Sequence, residues 1–85
     1  MLNVYAVSWC LHCKKTVRFL MENHIDFNYL DIEKQPQDVT QKVIDANGGK
    51  DWVVPTLEYK GHWRAGKRYD ADDLRSDLIQ MGVLK

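Results

Sequence analysis

The two cysteines of this chain point to its chemistry, because Cys10 and Cys13 stand close together with only Leu11 and His12 between them. A C-x-x-C spacing serves either as a redox-active dithiol or as half of a zinc site. Zinc takes about four ligands, and this chain has no second cysteine pair and no histidine at ligand spacing to another. A purely structural disulfide is disfavoured, because so short a loop constrains the unfolded chain very little. The spacing therefore predicts redox chemistry, with metal binding as the lesser alternative.

The surroundings of the pair predict different roles for the two sulfurs. An apolar run ends just before the cysteines and helical spacing begins at them, which places Cys10 at a helix N-terminus. Unpaired backbone N–H groups and the helix dipole favour a thiolate there, and Lys14 and Lys15 add positive potential. Cys13 falls on the inner face of the helix and is predicted to be buried and protonated. Cys10 is then the attacking sulfur, and Cys13 resolves the mixed disulfide.

The elements that must position these sulfurs are predicted from hydrophobic period and turn residues. Strands are predicted over 2–7, 27–32, 53–59 and 62–65, and helices over 10–24, 36–46 and 70–81. The inner face of the first helix is predicted to carry Cys13, Val17, Leu20, Met21 and His24. A strand–helix–strand opening requires a parallel, right-handed crossover, and the later hairpin adds an antiparallel edge. The order β-α-β-α-β-β-α thus predicts an α/β protein with a mixed four-stranded sheet flanked by helices, the plan of a thioredoxin-like fold.

Composition limits the function classes that this chain can fill. It has 85 residues, of which 45% are hydrophobic and 28% charged, as expected for one globular domain over residues 1–85. Twelve basic residues balance 12 acidic ones, which argues against nucleic acid as a partner. No apolar run is long enough to span a bilayer, and no basic leader precedes an apolar block. We therefore expect a cytoplasmic monomer with no membrane partner.

The segment Val54-Pro55-Thr56 allows two interpretations. A proline removes a ladder donor, so it is ordinarily found at a strand start, an edge or a turn. The alternative is a cis-proline loop that faces the cysteines, in which the Val54 backbone N–H and C=O turn outward and pair with an extended substrate as an added strand. From residue types alone the first interpretation is favoured.

Three segments together resemble the glutaredoxin family: Trp9-Cys10-Leu11-His12-Cys13, then Asn47-Gly48-Gly49, then Val54-Pro55-Thr56. The resemblance covers essentially the whole chain. It implies that Cys10 is the nucleophile, that Cys13 is the resolving thiol, and that Val54 precedes a cis-proline and receives the backbone of the substrate or of glutathione. It also implies reduction of disulfides in protein substrates or of glutathione mixed disulfides. No tightly bound cofactor is expected, and glutathione or a thioredoxin reductase is expected as electron donor.

The residues around the motif indicate the subtype and the predicted binding site. Dithiol glutaredoxins commonly have Pro-Tyr where this chain has Leu11-His12. The segment 65–70 resembles the Ser-Gly-Phe-Arg-Pro-Asp segment of redoxins that reduce ribonucleotide reductase and are recharged by thioredoxin reductase, and the chain is similar also to mycoredoxins. Gly66, Arg68 and Asp70 match that segment, whereas Lys67 and Tyr69 do not. The residues predicted to contact the substrate or glutathione are Trp9, Leu11, His12, Val54, Pro55, Tyr69 and Asp70.

His12 carries a separate expectation, because a histidine in this slot also occurs in oxidising enzymes of the thioredoxin fold. When it is protonated or hydrogen-bonded, His12 can stabilise the thiolate of Cys10. Stabilising the reduced form favours the dithiol, so the sequence predicts a couple less reducing than the roughly −270 mV of thioredoxin.

A rival function of another class is a binding module that uses Cys10 to hold an iron–sulfur cluster or zinc between subunits. Cluster-holding relatives of the family usually offer one open cysteine together with glutathione. Cys13 competes with such a role by forming a disulfide, so the oxidoreductase is preferred and no metal ligands are assigned within the chain.

Overall fold

A computed structural model describes residues 1–85. The strands are β1 (Leu2–Ala6), β2 (Phe27–Asp31), β3 (Thr56–Tyr59) and β4 (His62–Arg64). The helices are α1 (Leu11–Glu22), α2 (Gln37–Ala46) and α3 (Ala71–Met81), with a short 3-10 helix over Ile32–Lys34 after β2. No helix is both long enough and apolar enough to cross a membrane.

The sheet has four strands in the order β2-β1-β3-β4. β1 is parallel to β2 and antiparallel to β3, and β3 is antiparallel to β4. The hairpin between β3 and β4 turns at Lys60 and Gly61, both of which have positive φ, as a tight two-residue turn requires. The predicted order and the mixed four-stranded sheet of a thioredoxin-like fold are confirmed.

The helix termini follow the sequence signals closely. The Asp70 carboxylate caps α3 by accepting from the Asp73 N–H at 3.0 Å, and the helix ends at Gly82 with φ of 87°. Asn47 ends α2, and Gly48 and Gly49 after it both have positive φ, as is common beyond the end of a helix. Asn47 therefore marks the end of α2, and Asp70 and Gly82 mark the two ends of α3.

Two clusters of buried side chains lie against the sheet. The larger contains Leu2, Val4, Ala6, Cys13, Phe19, Leu20, Leu57, Leu74 and Leu78, so α1 and α3 both pack on it. The smaller contains Tyr5, Val7, Ile32 and Val43 and is covered by α2. β1 contributes to both clusters because its alternate side chains point to opposite faces.

Some predicted details of packing are wrong. Met21 is exposed, while Thr16 and Phe19 are buried in its place, so the inner face of α1 is rotated toward Thr16 relative to the prediction. His24 is also exposed, because it lies beyond the C-cap at Asn23 and has φ of 55°. β3 begins at Thr56 rather than at residue 53, which leaves the proline in a loop ahead of the strand.

A network of ion pairs holds α3 against β4. Arg64 is buried, and its Nε donates to Asp77 Oδ2 at 2.7 Å while its Nη2 lies 3.4 Å from Asp73 Oδ2. Lys67 Nζ lies 2.9 Å from each of the same two carboxylate oxygens. Burial opposes ionisation of Asp77, but the hydrogen bonds from Lys67 and Arg64 outweigh it and lower the pKa of this carboxyl. The start of the 65–70 loop is thereby anchored to α3.

Candidate active site

Cys10 is the N-cap residue of α1, with extended backbone at φ −93° and ψ 119°. Its Sγ accepts the backbone N–H of Cys13 at 3.2 Å, in the position that an N-cap oxygen normally occupies. The first N–H groups of a helix have no partner within the helix and favour negative charge. The geometry therefore places one half-buried sulfur at the N-terminus of α1, with a backbone N–H group directed at it.

Cys13 lies one turn further along α1, and it is 1% exposed within the larger core cluster. Burial, and to a lesser degree its hydrogen bond with Cys10, raises the pKa of the Cys13 thiol to about 12. Both cysteines are free thiols in this structure. The pair comprises one accessible sulfur at a helix terminus and one buried thiol that keeps its proton.

The proline loop meets the cysteines at the junction of the two core clusters. Val54 and Cys10 are both partly buried, and each of them packs against both clusters. The Val54–Pro55 peptide bond is cis, as the alternative interpretation of this segment expected, and Pro55 is buried. The proline loop and Cys10, which lie far apart in the sequence, thus border the same pair of core clusters.

The 65–70 loop forms the other side of this region and is tied to the cysteine motif. His12 Nδ1 accepts the backbone N–H of Tyr69 at 3.0 Å, and the Tyr69 side chain packs against the larger cluster. This is the hydrogen bond that His12 makes in the structure, so Nδ1 is turned toward the loop and not toward Cys10. Asp70 is used as the N-cap of α3, and no contact brings its carboxylate to the cysteines.

Exposed apolar side chains flank the cysteine motif and the proline loop. Trp9 is 68% exposed and Leu11 60% exposed, and both are neighbours of Cys10 in the chain. Val53, which the sequence interpretation did not single out, is 43% exposed and precedes Val54. Side chains of this kind, exposed beside a reactive group, are suited to contact with a partner.

Asn47 is a second residue of this region that the sequence interpretation gave no role beyond ending α2. Its carboxamide oxygen accepts from the Gly66 N–H at 2.8 Å, and its Nδ2 donates to Thr56 Oγ1 at 2.9 Å. The sequence signal was only that of a helix cap, and the partners lie at the start of β3 and in the 65–70 loop, which the fold brings together.

Two cavities lie near these elements, and only one of them reaches a cysteine. A cavity of about 300 Å³ is lined by Val7, Ser8, Cys13, Lys14, Val17 and Tyr29. A larger one of about 550 Å³ lies between β4 and α3 and contains no cysteine. We place the candidate site at the sulfurs rather than at the larger cavity, because the reactive groups define the chemistry. No group of three or more His, Cys, Asp or Glu side chains is arranged to hold a metal ion.

Comparison with known proteins gives consistent results. A family model described as Glutaredoxin matches residues 2–63. The chain is 40% identical over 45 residues to the glutaredoxin-like protein NrdH of Lactococcus lactis subsp. cremoris, and the match covers 53% of this chain and 61% of that protein. It therefore spans about three fifths of the length of the relative.

Solved structures share the fold over most of the chain. A glutaredoxin from Archaeoglobus fulgidus is 29% identical with a TM-score of 0.71, over 93% of this chain and 85% of that one. A glutaredoxin from Methanosarcina mazei Go1 is 22% identical with a TM-score of 0.73, over 91% of this chain and 76% of that one, and it supports the fold alone.

Proposed function

The chain belongs to the glutaredoxin family, and from that premise we propose that it is a dithiol–disulfide oxidoreductase that acts through Cys10 and Cys13. The substrates are disulfides in proteins or mixed disulfides with glutathione. The observation that carries this proposal is the hydrogen bond from the Cys13 N–H to Cys10 Sγ at 3.2 Å, made while the Cys13 thiol itself is buried. It gives the two sulfurs the different environments that an attacking and a resolving thiol need.

In the first step the Cys10 thiolate attacks one sulfur of the substrate disulfide. The bond between the substrate sulfurs breaks, a Cys10–substrate disulfide forms, and the departing substrate thiolate takes a proton from solvent. The N–H group that stabilised the thiolate remains beside the reacting sulfur, so no rearrangement of α1 is required. Trp9 and Leu11 provide the apolar surface on which the substrate rests.

In the second step Cys13 gives up its proton to solvent and attacks Cys10 Sγ, and the bond between Cys10 and the substrate sulfur breaks. The Cys10–Cys13 bond forms, and the second substrate thiolate leaves and is protonated, so that two electrons and two protons have passed to the substrate. Cys10 contributes to the raised pKa of Cys13 through their hydrogen bond. That contribution is lost once Cys10 is in a mixed disulfide, which favours the resolving step only after the first step has taken place.

The remaining predicted residues are assigned either to direct substrate contact or to positioning the residues that make it. The Val54 backbone would pair with an extended substrate beside the buried Pro55, and Tyr69 would form the facing wall. His12 holds that wall through its hydrogen bond to Tyr69, and Asp70 acts indirectly by capping α3. We propose that residues 1–85 work as one unit and as a monomer, and that the dithiol is maintained in a reducing compartment such as the cytoplasm.

Coupled NADPH oxidation with a disulfide substrate tests the function and distinguishes the electron donors. One arm contains glutathione and glutathione reductase, the other contains thioredoxin reductase alone, and Cys10→Ser is the blank in both. We expect turnover that depends on Cys10 in at least one arm, and the active arm identifies the donor. Equal rates for the wild type and Cys10→Ser in both arms would contradict the proposal.

The alternative is a metal-binding function, which the activity assay does not test and which needs a separate measurement. One chain supplies only the two motif sulfurs, since no group of three or more ligating side chains is assembled in it. A cluster or zinc would need a second copy or glutathione to complete its ligands. Colour and metal content of anaerobically purified protein, compared with Cys10→Ser, separate the two functions.

A further inference from the structure

We propose that Asn47 is a positioning residue whose carboxamide sets the separation between the two backbone segments beside the cysteines, Val53–Val54 and Gly66–Tyr69. This inference rests on the proposed function, in which those segments are the walls that receive an extended substrate. Asn47 does not touch the reacting sulfurs. It acts through hydrogen bonds to Gly66 and, by way of Thr56, to Val53.

The Asn47 side chain uses both of its N–H donors and its carbonyl oxygen in hydrogen bonds. Nδ2 donates to the Val43 carbonyl at 2.8 Å and to Thr56 Oγ1 at 2.9 Å. Oδ1 accepts from the Gly66 N–H at 2.8 Å. Only a neutral carboxamide supplies two donors and an acceptor from one short side chain. An aspartate of the same shape would lack both donors.

Thr56 relays the contact to the wall that contains Val53. Its Oγ1 accepts from Asn47 and donates to the Val53 carbonyl at 2.5 Å, and the threonine is fully buried. A hydroxyl can do both at once because it has one donor and two lone pairs. The position of Val53, and of Val54 after it, therefore depends on a buried chain of hydrogen bonds that starts at Asn47.

Gly66 connects the other wall to the same point. A Cβ built on Gly66 would come within 2.6 Å of Val53 Cγ1 and 2.7 Å of the Val53 carbonyl carbon and oxygen. The two segments are thus in close contact at this point, where Asn47 binds Gly66 directly and Val53 through Thr56. The far end of the second wall is held separately, by His12 at Tyr69.

A helix cap alone does not explain this arrangement. The bond from Asn47 to the Val43 carbonyl, four residues back, satisfies the end of α2 by itself. The other two bonds reach Thr56, which binds the Val53 carbonyl in turn, and Gly66, which begins the second segment. Their common feature is the candidate site and not the helix.

The expected consequence is a change in substrate binding that exceeds any change in sulfur chemistry. Without the carboxamide the walls lose a shared anchor, so an extended substrate meets them at an unfavourable spacing. A small disulfide needs only Cys10 and Cys13 and should be reduced nearly as well as by the wild type. The separation of KM from kcat is therefore the diagnostic measurement.

Asn47→Ala, Asn47→Asp, Thr56→Val and Thr56→Ser form a matched set for the test. Asn47→Asp keeps the shape and the acceptor for Gly66, and Thr56→Ser keeps the relaying hydroxyl that Thr56→Val removes. KM and kcat are measured with insulin as a protein disulfide and with 2-hydroxyethyl disulfide as a small one. Urea unfolding of each variant establishes that the assayed protein is folded.

We expect KM for insulin to rise about fivefold in Asn47→Ala, Asn47→Asp and Thr56→Val, with kcat for the small disulfide within about twofold of wild type. Thr56→Ser should behave as the wild type, and the Asn47→Ala/Thr56→Val double variant should lose less than the product of the single effects. An unchanged KM in the folded Thr56→Val and Asn47 variants, or equal losses on both substrates, would overturn the inference. Wild-type activity no higher than that of Cys10→Ser on the small disulfide would instead overturn the proposed function.

Discussion

His12 Nδ1 accepts the backbone N–H of Tyr69 at 3.0 Å, across 57 residues of sequence. A ring nitrogen that accepts an N–H carries no proton of its own at that atom. The histidine of the cysteine motif therefore acts as an acceptor for the loop before α3. This gives His12 a partner different from the Cys10 thiolate that the sequence suggested.

The first prediction concerns that hydrogen bond. His12→Ala should raise KM for a protein disulfide several-fold because Tyr69 is released, and it should shift the reduction potential by less than about 30 mV, a tenfold change in the equilibrium constant. Redox titration and steady-state kinetics measure the two quantities. His24→Ala is the matched control, since His24 is exposed at the end of α1. A larger shift in potential with KM unchanged would restore the role that the sequence suggested for His12.

The second prediction follows from the raised pKa of Cys13. The folded-state pKa is about 12, above the roughly 8.5 of an unfolded cysteine. Above that lower value the unfolded chain loses a proton that the folded one keeps, so the free energy of unfolding falls as pH rises from about 8.5 toward 12. Urea unfolding of the reduced protein between pH 7 and about 10 should show this decline, and Cys13→Ser should reduce its slope. Cys10→Ser should retain most of it, because burial is the main cause of the shift. Equal slopes in wild type and Cys13→Ser would contradict the assignment.

The third prediction concerns Asp77, whose carboxylate holds the buried Arg64. Asp77→Asn should lower the free energy of unfolding at neutral pH by about 1–3 kcal/mol, because a charged hydrogen bond to a buried group is lost. The pKa of Asp77 is lowered in the fold, so its contribution is present above the unfolded value and is lost as pH falls through the folded one. The variant should therefore show a flatter stability curve below about pH 4. Asp26→Asn, in an exposed loop, should match the wild type in its free energy of unfolding and in the pH dependence of that free energy. A loss of about 1–3 kcal/mol in Asp26→Asn as well would contradict a specific role for Asp77.

The fourth prediction concerns Gly66. Gly66→Ala places a methyl group 2.6–2.7 Å from Val53, including its backbone carbonyl, so one of the two segments must move. Overpacking of this kind costs about 1–3 kcal/mol, and it should also raise KM for a protein disulfide. Thermal unfolding together with kinetics gives both values. A variant as stable and as active as the wild type would show that the two segments separate freely.

The sequence predicted those features that depend on local signals. Asp70 and Gly82 bound α3 close to the predicted helix over 70–81, and Lys60-Gly61 forms the turn between the strands predicted over 53–59 and 62–65. The two cysteines at a strand-to-helix junction likewise gave the position of Cys10 as a cap. In each case the responsible contacts lie within a few residues of one another.

Features that depend on distant partners could not be predicted in the same way. Both Met21 and Phe19 are apolar, and only packing against α3 and the sheet decides that Phe19 is buried. The roles of His12 and Asn47 depend on the 65–70 loop, which lies beside them only after the sheet has formed. From residue type alone, His12 was interpreted as part of the cysteine motif and Asn47 as the cap of α2. Both interpretations are correct, but neither includes the contact with the 65–70 loop.

Trapping of the mixed disulfide tests the central claim most directly, because it needs no knowledge of the electron donor. Reduced wild type, Cys10→Ser and Cys13→Ser are each treated with oxidised glutathione and analysed by mass spectrometry without reductant. We expect the wild type to accumulate the Cys10–Cys13 disulfide, Cys13→Ser to accumulate a glutathione adduct at Cys10, and Cys10→Ser to remain unmodified. An adduct on Cys13 in Cys10→Ser, formed as fast as the one on Cys10 in Cys13→Ser, would contradict the division of roles between the two sulfurs.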